Sequence, residues 1–299
     1  MFATTPYLFR RETMPYVVVI GVIALIVILH EISLRVVMRL LTFARNLPPR
    51  VTHSRTWVRS AAFRLRLAAQ YPMLCGFVAD RVRLRSATGL PLTLMILGAL
   101  YLAALFSGLT EDILEANGII HIDKLVNAEL SHWQVEPLIS IFLWLTALGS
   151  SATLVSAVVI ATGFLWSQRR IYMIVPVWVT FCGALATTSV GKLLIGRQRP
   201  EMTIDVTVAS SSFPSGHATS AMAVYGFLAY TIAGVLPSVR ERFEVAYWAA
   251  VLILLVGLSR IVLGVHFLTD VIGGFMVGGI WLLVGFSIAE WNQRDRNSA

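Results

Sequence analysis

The chain has 299 residues, of which 57% are hydrophobic and only 13% charged, against roughly 25% charged in an ordinary soluble domain. Apolar residues gather into runs of about 20, long enough as helices to cross a hydrocarbon layer roughly 30 Å thick; this excludes a soluble globular protein and predicts an all-α, polytopic transmembrane helical bundle. The formal net charge of +8 is uneven, since residues 39–88 hold ten arginines against one acid, Asp80. That bias marks the cytoplasmic face, and because no folded recognition module is readable there, nucleic acid is not an expected partner.

Seven membrane segments are predicted, near residues 15–37, 90–108, 137–164, 171–195, 217–236, 246–263 and 267–288. His30, Glu31 and Arg35 interrupt the first, which leaves open whether it spans or lies partly in the interface. With residues 39–88 cytoplasmic, the loops near Ser167–Arg170 and Arg240–Arg242 and the tail with Arg294 and Arg296 fall on that same side. The loops 109–136 and 196–213 and the turn near 264 then lie outside. Arg10 and Arg11 dissent from this assignment.

Residues 112–130 mix apolar and acidic positions and predict a short amphipathic outer helix or lid. Residues 201–213, bounded by Pro200 and Pro214, predict an irregular loop. Phe63 with Leu67, and Arg55 with Arg59, are i,i+4 pairs that hint at a cytoplasmic surface helix over 55–71. Glycine pairs at 273–274 and 278–279 suit close approach of another helix. Cys75 and Cys182, the only cysteines, do not suggest a disulfide framework, and no removable signal peptide is predicted.

Polar groups at membrane depth need partners or water and default to functional candidates. Lys192, Arg199, His217, Arg260, His266 and Asp270 all reach the same outer face in this topology. Lys192 and Arg199 are seven residues apart, about two helical turns if the helix runs that far, and Pro200 ends it. Two neighbouring cations repel unless an anion joins them, and guanidinium groups match phosphate oxygens bidentately. Arg197 fits lipid-headgroup anchoring better than the pocket.

In FPSGHATS, a helix N-terminus offers free amides near Ser215 and Gly216 to an anion; Ser215 adds a hydroxyl, and His217 can reach the same anion. In SRIVLGVHFLTD, His266 and Asp270 are i,i+4, so a helical turn would bring the carboxylate beneath the imidazole. Asp270 can then hold one ring nitrogen as donor and leave the other as a nucleophile. Arg260 supplies a further cation, whereas Ser259 has no readable choice between backbone and site.

These residues resemble the type 2 phosphatidic acid phosphatase (PAP2) superfamily, its membrane lipid phosphatase branch. The motif has three parts, which stand here as Lys192 with Arg199–Pro200, as Pro214–Ser215–Gly216–His217, and as Ser259–Arg260 with His266 and Asp270. The resemblance covers about residues 90–288 and implies a six-helix core. The expected organisation is an N-terminal membrane helix over 1–38, a basic cytoplasmic segment over 39–88, a six-helix phosphatase domain over 89–289 and a cytoplasmic tail over 290–299.

The resemblance implies that His266 is the nucleophile, that His217 protonates the leaving group, and that Lys192, Arg199, Ser215, Gly216 and Arg260 bind phosphate. It also implies inhibition by vanadate and an inner-membrane setting with the catalytic face periplasmic. The expected activity is hydrolysis of a lipid phosphate or diphosphate (polyprenyl diphosphate, phosphatidic acid, phosphatidylglycerol phosphate or phosphorylated lipid A), with undecaprenyl diphosphate or another bacterial lipid phosphate placed first by the resemblance; a membrane lipid is the expected substrate and the bilayer the partner. No cofactor is expected, and with no constellation of carboxylates for a two-metal centre, turnover is expected to be metal-independent. Other readings are a lipid phosphotransferase passing the same phosphohistidine to an alcohol, a vanadate-dependent haloperoxidase, and a nonenzymatic transporter or scaffold.

Overall fold

The structure, a computed structural model, describes residues 5–46, 70–71, 89–115, 118–131, 134–200 and 210–298. Cys75, nearly all of the expected surface helix at 55–71 and most of the loop 201–213 lie outside them. The described residues form helices and no strands: α1 (Thr5–Asn46), α2 (Leu90–Leu114), α3 (Ile119–Ser131), α4 (Glu136–Ala147), α5 (Ser151–Ser167), a 3-10 turn (Ile171–Met173), α6 (Ile174–Ile195), α7 (Gly216–Ala233), α8 (Val239–Val262) and α9 (Leu268–Ser298).

Local chemistry sets several of these ends. Proline stands in the first turn of α2 and of α4, where its missing N–H costs no helical bond. The Ser150 side chain accepts the Thr153 amide at the start of α5, and Ser238 with Glu241 closes a capping box on α8. Gly196, at φ 61°, ends α6 in the left-handed region, which only glycine enters without a Cβ penalty.

Among the described residues, five helices are long and apolar enough to cross a membrane, spanning Val19–Phe43, Leu90–Leu114, Ile171–Ile195, Val239–Val262 and Leu268–Arg294. The expected segment 137–164 is two helices, α4 and α5, bent by 41° at a short break, and counts as a sixth crossing when the pair is taken as one. The expected segment 217–236 is α7, which that criterion does not select. Its position explains why. It packs against α6, α8 and α9, so its surface meets protein more than lipid and carries small and hydroxyl residues such as Ala218, Thr219, Ser220 and Ala221, all buried. The chain is an integral membrane protein.

Differences from the expected boundaries follow from helix continuity. The expected amphipathic helix is α3, beginning at Ile119, while residues 112–114 complete α2. The expected tail at 290–299 continues α9 to Ser298. The first helix runs well past residue 38. His30 does not weaken it, because its Nε2 lies 2.7 Å from Glu244 Oε2 on α8 and its ring sits among Phe243, Tyr247 and Trp248. The Tyr247 hydroxyl donates to the Ile26 carbonyl at 2.6 Å, a second tie between α1 and the bundle.

Helices α7 and α9 lie close together, and glycines permit it. A Cβ at Gly274 would come within 2.7 Å of the Ser215 carbonyl oxygen, and one at Gly278 within 2.5 Å of the Thr219 carbonyl oxygen. Both obstacles are backbone, so neither can swing aside. Gly278→Val is expected to destabilise the bundle by about 1–3 kcal/mol, read as a lower unfolding midpoint of the detergent-solubilised protein. A midpoint equal to wild type would contradict this packing.

Candidate active site

Three chain segments meet at one end of the bundle. In the first, Gly196 turns the chain out of α6, leaving Lys192 on the last helical turn while Arg197 and Arg199 follow on an irregular segment. Lys192 and Arg199 therefore do not share a helical face as their spacing suggested; a second stretch of chain joins them. Lys192 Nζ donates to Ser210 Oγ at 3.2 Å, and Arg199 donates to Ser210 O at 2.8 Å and to Ser210 Oγ at 3.2 Å. Ser212 N donates to Arg197 O at 2.9 Å and Ser212 Oγ to Gln198 O at 3.0 Å. The ladder pins 197–199 beside 210–212.

The second segment is the entry to α7. Ser215 caps this helix by position, but its hydroxyl makes no capping bond; Ser215 Oγ is buried without a hydrogen-bonding partner among the described residues. Gly216 and His217 occupy the first turn, whose amides are free in any α-helix. His217 packs against the α4–α5 break, where a Cβ at Gly149 would come within 3.2 Å of its ring. It lies within electrostatic reach of Arg260, His266, Lys192 and Arg199.

The third segment joins α8 to α9. Helix α8 ends in a Schellman motif, with Val265 N donating to Arg260 O at 3.2 Å and Gly264 N to Ile261 O at 2.9 Å. Gly264 takes the left-handed position at φ 67°. The motif reverses the chain within four residues, so Arg260 and His266 stay near each other. Arg260 is 8% exposed; its Nη1 donates to Thr146 Oγ1 on α4, while its Nε has no partner among the described residues.

His266 lies in this turn and not on a helix, which corrects the expected origin of its pairing with Asp270. Asp270 is in the first turn of α9, where Phe267 N donates to its Oδ2 at 2.8 Å. That bond folds the turn back and leaves the same oxygen 3.4 Å from His266 Nδ1. His266 Nε2 points the other way, 3.3 Å from Arg199 Nη1. Burial pushes the His266 imidazole down to about 4, although Asp270 pulls in the opposite direction; Arg260 and Arg199 add to the lowering. The ring is therefore neutral at pH 7.

Arg197 is not a headgroup anchor. It is held between two acids, with Nη1 2.6 Å from Asp270 Oδ1 and Nη2 2.6 Å from Asp123 Oδ2, and its guanidinium lies 4.5 Å from the Phe267 ring centre. Asp123, on α3, is fully buried. The sequence had marked that helix as an outer lid without singling out the acid, because one aspartate among Ile122, Leu125 and Val126 has no local motif to reveal it. Ser259, undecided from sequence, bonds its own helix, donating to Val256 O.

The structure thus brings together Lys192, Arg199, Ser215, Gly216, His217, Arg260, His266 and Asp270, all at one end of the bundle. Relatives of known name carry the comparison further. Residues 172–294 match the sequence model of the PAP2 superfamily. Phosphatidylglycerophosphatase B of Bacillus subtilis is 35% identical over 151 residues, which are 50% of this chain and 73% of that protein. A lipid A 1-phosphatase of Rhizobium etli is 33% identical over 116 residues, 36% of this chain and 45% of that protein. The crystal structure of a transmembrane PAP2-type phosphatidylglycerolphosphate phosphatase from Bacillus subtilis covers 67% of this chain and 97% of its own, at 29% identity and a TM-score of 0.60. A match that takes in nearly three quarters of a named relative, joined to the shared bundle architecture, establishes the family: the chain belongs to the PAP2 superfamily.

Proposed function

We propose that this chain is a lipid phosphatase of the PAP2 type that works through a phosphohistidine on His266. The observation that carries this reading is the meeting of two imidazoles from different helix ends in one cluster of three cations, Lys192, Arg199 and Arg260. Two donors in that cluster, Ser215 Oγ and Arg260 Nε, have no protein partner among the described residues. Such a group of cations and free donors fits a phosphoryl group better than it fits itself.

In the first step His266 Nε2 attacks phosphorus, the bond to the leaving oxygen breaks, and His217 gives that oxygen a proton. In the second, water gives a proton to His217 and attacks phosphorus, the P–N bond breaks, and inorganic phosphate leaves with His266 restored. Lys192, Arg199, Arg260 and the amides at the start of α7 stabilise charge on the nonbridging oxygens. Asp270 steadies Nδ1 of His266 as the ring takes up positive charge.

The substrate is an amphiphile whose chains stay in the bilayer while its phosphate enters the cluster at the headgroup level. Phosphatidylglycerol phosphate, phosphatidic acid, polyprenyl diphosphate and phosphorylated lipid A share that chemistry, and the relatives' names favour glycerophospholipid and lipid A phosphates. The positive-inside reading puts this end on the periplasmic face of a bacterial inner membrane.

Purified protein offered a panel of such lipids should release phosphate from at least one, and rapid quenching with labelled substrate should trap an acid-labile phosphoenzyme. His266→Ala should trap none; label on that variant would remove His266 as nucleophile. Activity should persist in excess chelator and fall on adding vanadate. Loss in chelator with recovery on adding magnesium would overturn the metal-free mechanism.

The depressed pKa of His266 has a signed consequence. Neutral imidazole is the reactive form, so activity is present above its pKa and lost as pH falls through it. Asp270 pulls the His266 value upward, so Asp270→Asn should move the acid limb of kcat/KM to lower pH and cut kcat by roughly a hundredfold or more. An acid limb that moved to higher pH would contradict the assignment.

A further inference from the structure

We infer that Asp123 and Arg197 are positioning residues for catalysis, linking the outer helix α3 to the His266–Asp270 pair through a buried ion relay. The inference rests on the phosphohistidine reading above and adds Asp123, which lies outside the three-part motif, and Arg197, which stands at an unspecified position within its first part. Asp123 and Asp270 are both fully buried and Arg197 nearly so. Three charges out of water are costly, and apolar replacements of buried ion groups are often neutral or stabilising. Stability alone therefore gives little reason to hold them here, and their geometry supplies another.

Each oxygen of Asp270 has a distinct task. Oδ1 takes Arg197 Nη1 at 2.6 Å, while Oδ2 takes Phe267 N at 2.8 Å and faces His266 Nδ1 at 3.4 Å. Arg197 thereby fixes the rotation of the carboxylate that faces the imidazole. Asp123 fixes Arg197 in turn, and its two oxygens also accept Thr269 N at 3.1 Å and the Thr269 hydroxyl. A carboxylate from α3 so caps the first turn of α9, where the helix dipole favours negative charge. Without Asp123 the turn that carries Asp270 loses its outer support.

The relay also sets charge. His266 faces Asp270 from α9, Arg199 from the segment after α6, Arg260 from α8 and His217 from α7. Behind Asp270, Arg197 offsets the carboxylate and Asp123 offsets Arg197. Removing the Asp123 charge leaves Arg197 to neutralise Asp270 alone, which weakens the field holding a proton on His266. Removing Arg197 as well leaves Asp270 uncompensated and restores that field.

The test compares wild type, Asp123→Asn and the double variant Asp123→Asn with Arg197→Met as full-length protein in detergent. Asp123→Asn is near-isosteric and keeps an acceptor for Arg197. Its kcat should fall by roughly ten- to a hundredfold, the scale expected for a small misplacement of a catalytic group, with KM within about threefold because the phosphate-facing cations are untouched. The acid limb of kcat should move to lower pH by about half a unit or more in Asp123→Asn and return to or above the wild-type position in the double variant.

A lowered kcat with the acid limb unmoved in both variants would reduce the relay to a structural brace and overturn the inference, as would wild-type kcat in Asp123→Asn. If the double variant does not fold, Asp123→Asn decides alone through its kcat and its limb. The phosphohistidine reading is checked separately by trapping phosphoenzyme on wild type. Label on wild type with unaltered kinetics in Asp123→Asn sinks only the relay; no label on wild type sinks the underlying mechanism.

Discussion

A single carboxylate, Asp270, joins the parts of this protein that were far apart in the chain. Its side chain takes the Phe267 amide and Arg197 and lies beside His266, and its backbone carbonyl accepts Ser215 N at 2.9 Å. The end of α6, the start of α7 and the turn between α8 and α9 are thus bonded to one residue. An anion buried among apolar helices is tolerable only when such partners surround it. The requirement that each of its oxygens be satisfied is what draws the three segments to a common point.

The helices supply the stiffness this junction needs. Glycines at 274 and 278 let α9 lie against the α7 backbone, so the entry of α7 and the first turn of α9 are set relative to each other by contacts that side-chain motion cannot relax. The Schellman turn does the same for Arg260 and His266, and the Arg260–Thr146 bond extends it to α4. Rigid elements hold the cationic cluster together against its own repulsion. The proposed chemistry exploits that tension, since a phosphoryl group arriving among Lys192, Arg199 and Arg260 relieves it.

At the opposite end of the bundle, polar residues within the apolar stretches have structural partners instead. Tyr230 donates to Glu290 at 2.6 Å, Arg170 to the Thr231 carbonyl at 3.2 Å, and His30 meets Glu244. Each pair closes on itself. Those at the candidate site do not: Ser215 Oγ and Arg260 Nε keep unused hydrogen-bonding capacity among the described residues. Intramembrane polarity alone would not separate the two ends; the difference lies in which groups are already satisfied.

Composition and the spacing of apolar runs determined the membrane bundle, because a 20-residue apolar helix has few other stable environments. The eight candidate site residues were legible for a similar reason, since charges and a Pro-Ser-Gly-His turn at the ends of such helices have little structural cause to be there. Only the tertiary structure decided the rest. Segment 217–236 reads as one more membrane span, and the structure packs it as α7 against α6, α8 and α9, a matter of which neighbours surround it. Lys192 and Arg199 meet through Ser210, and His266 meets Asp270 across a turn, so two spacings that suggested a shared helical face found their contacts by other routes. Arg197 reads from sequence as a headgroup anchor and Asp123 carries no signal of its own: an arginine near a headgroup layer and an aspartate on an amphipathic helix look ordinary until 74 residues of separation close to 2.6 Å, and no local pattern encodes a bond between elements so far apart.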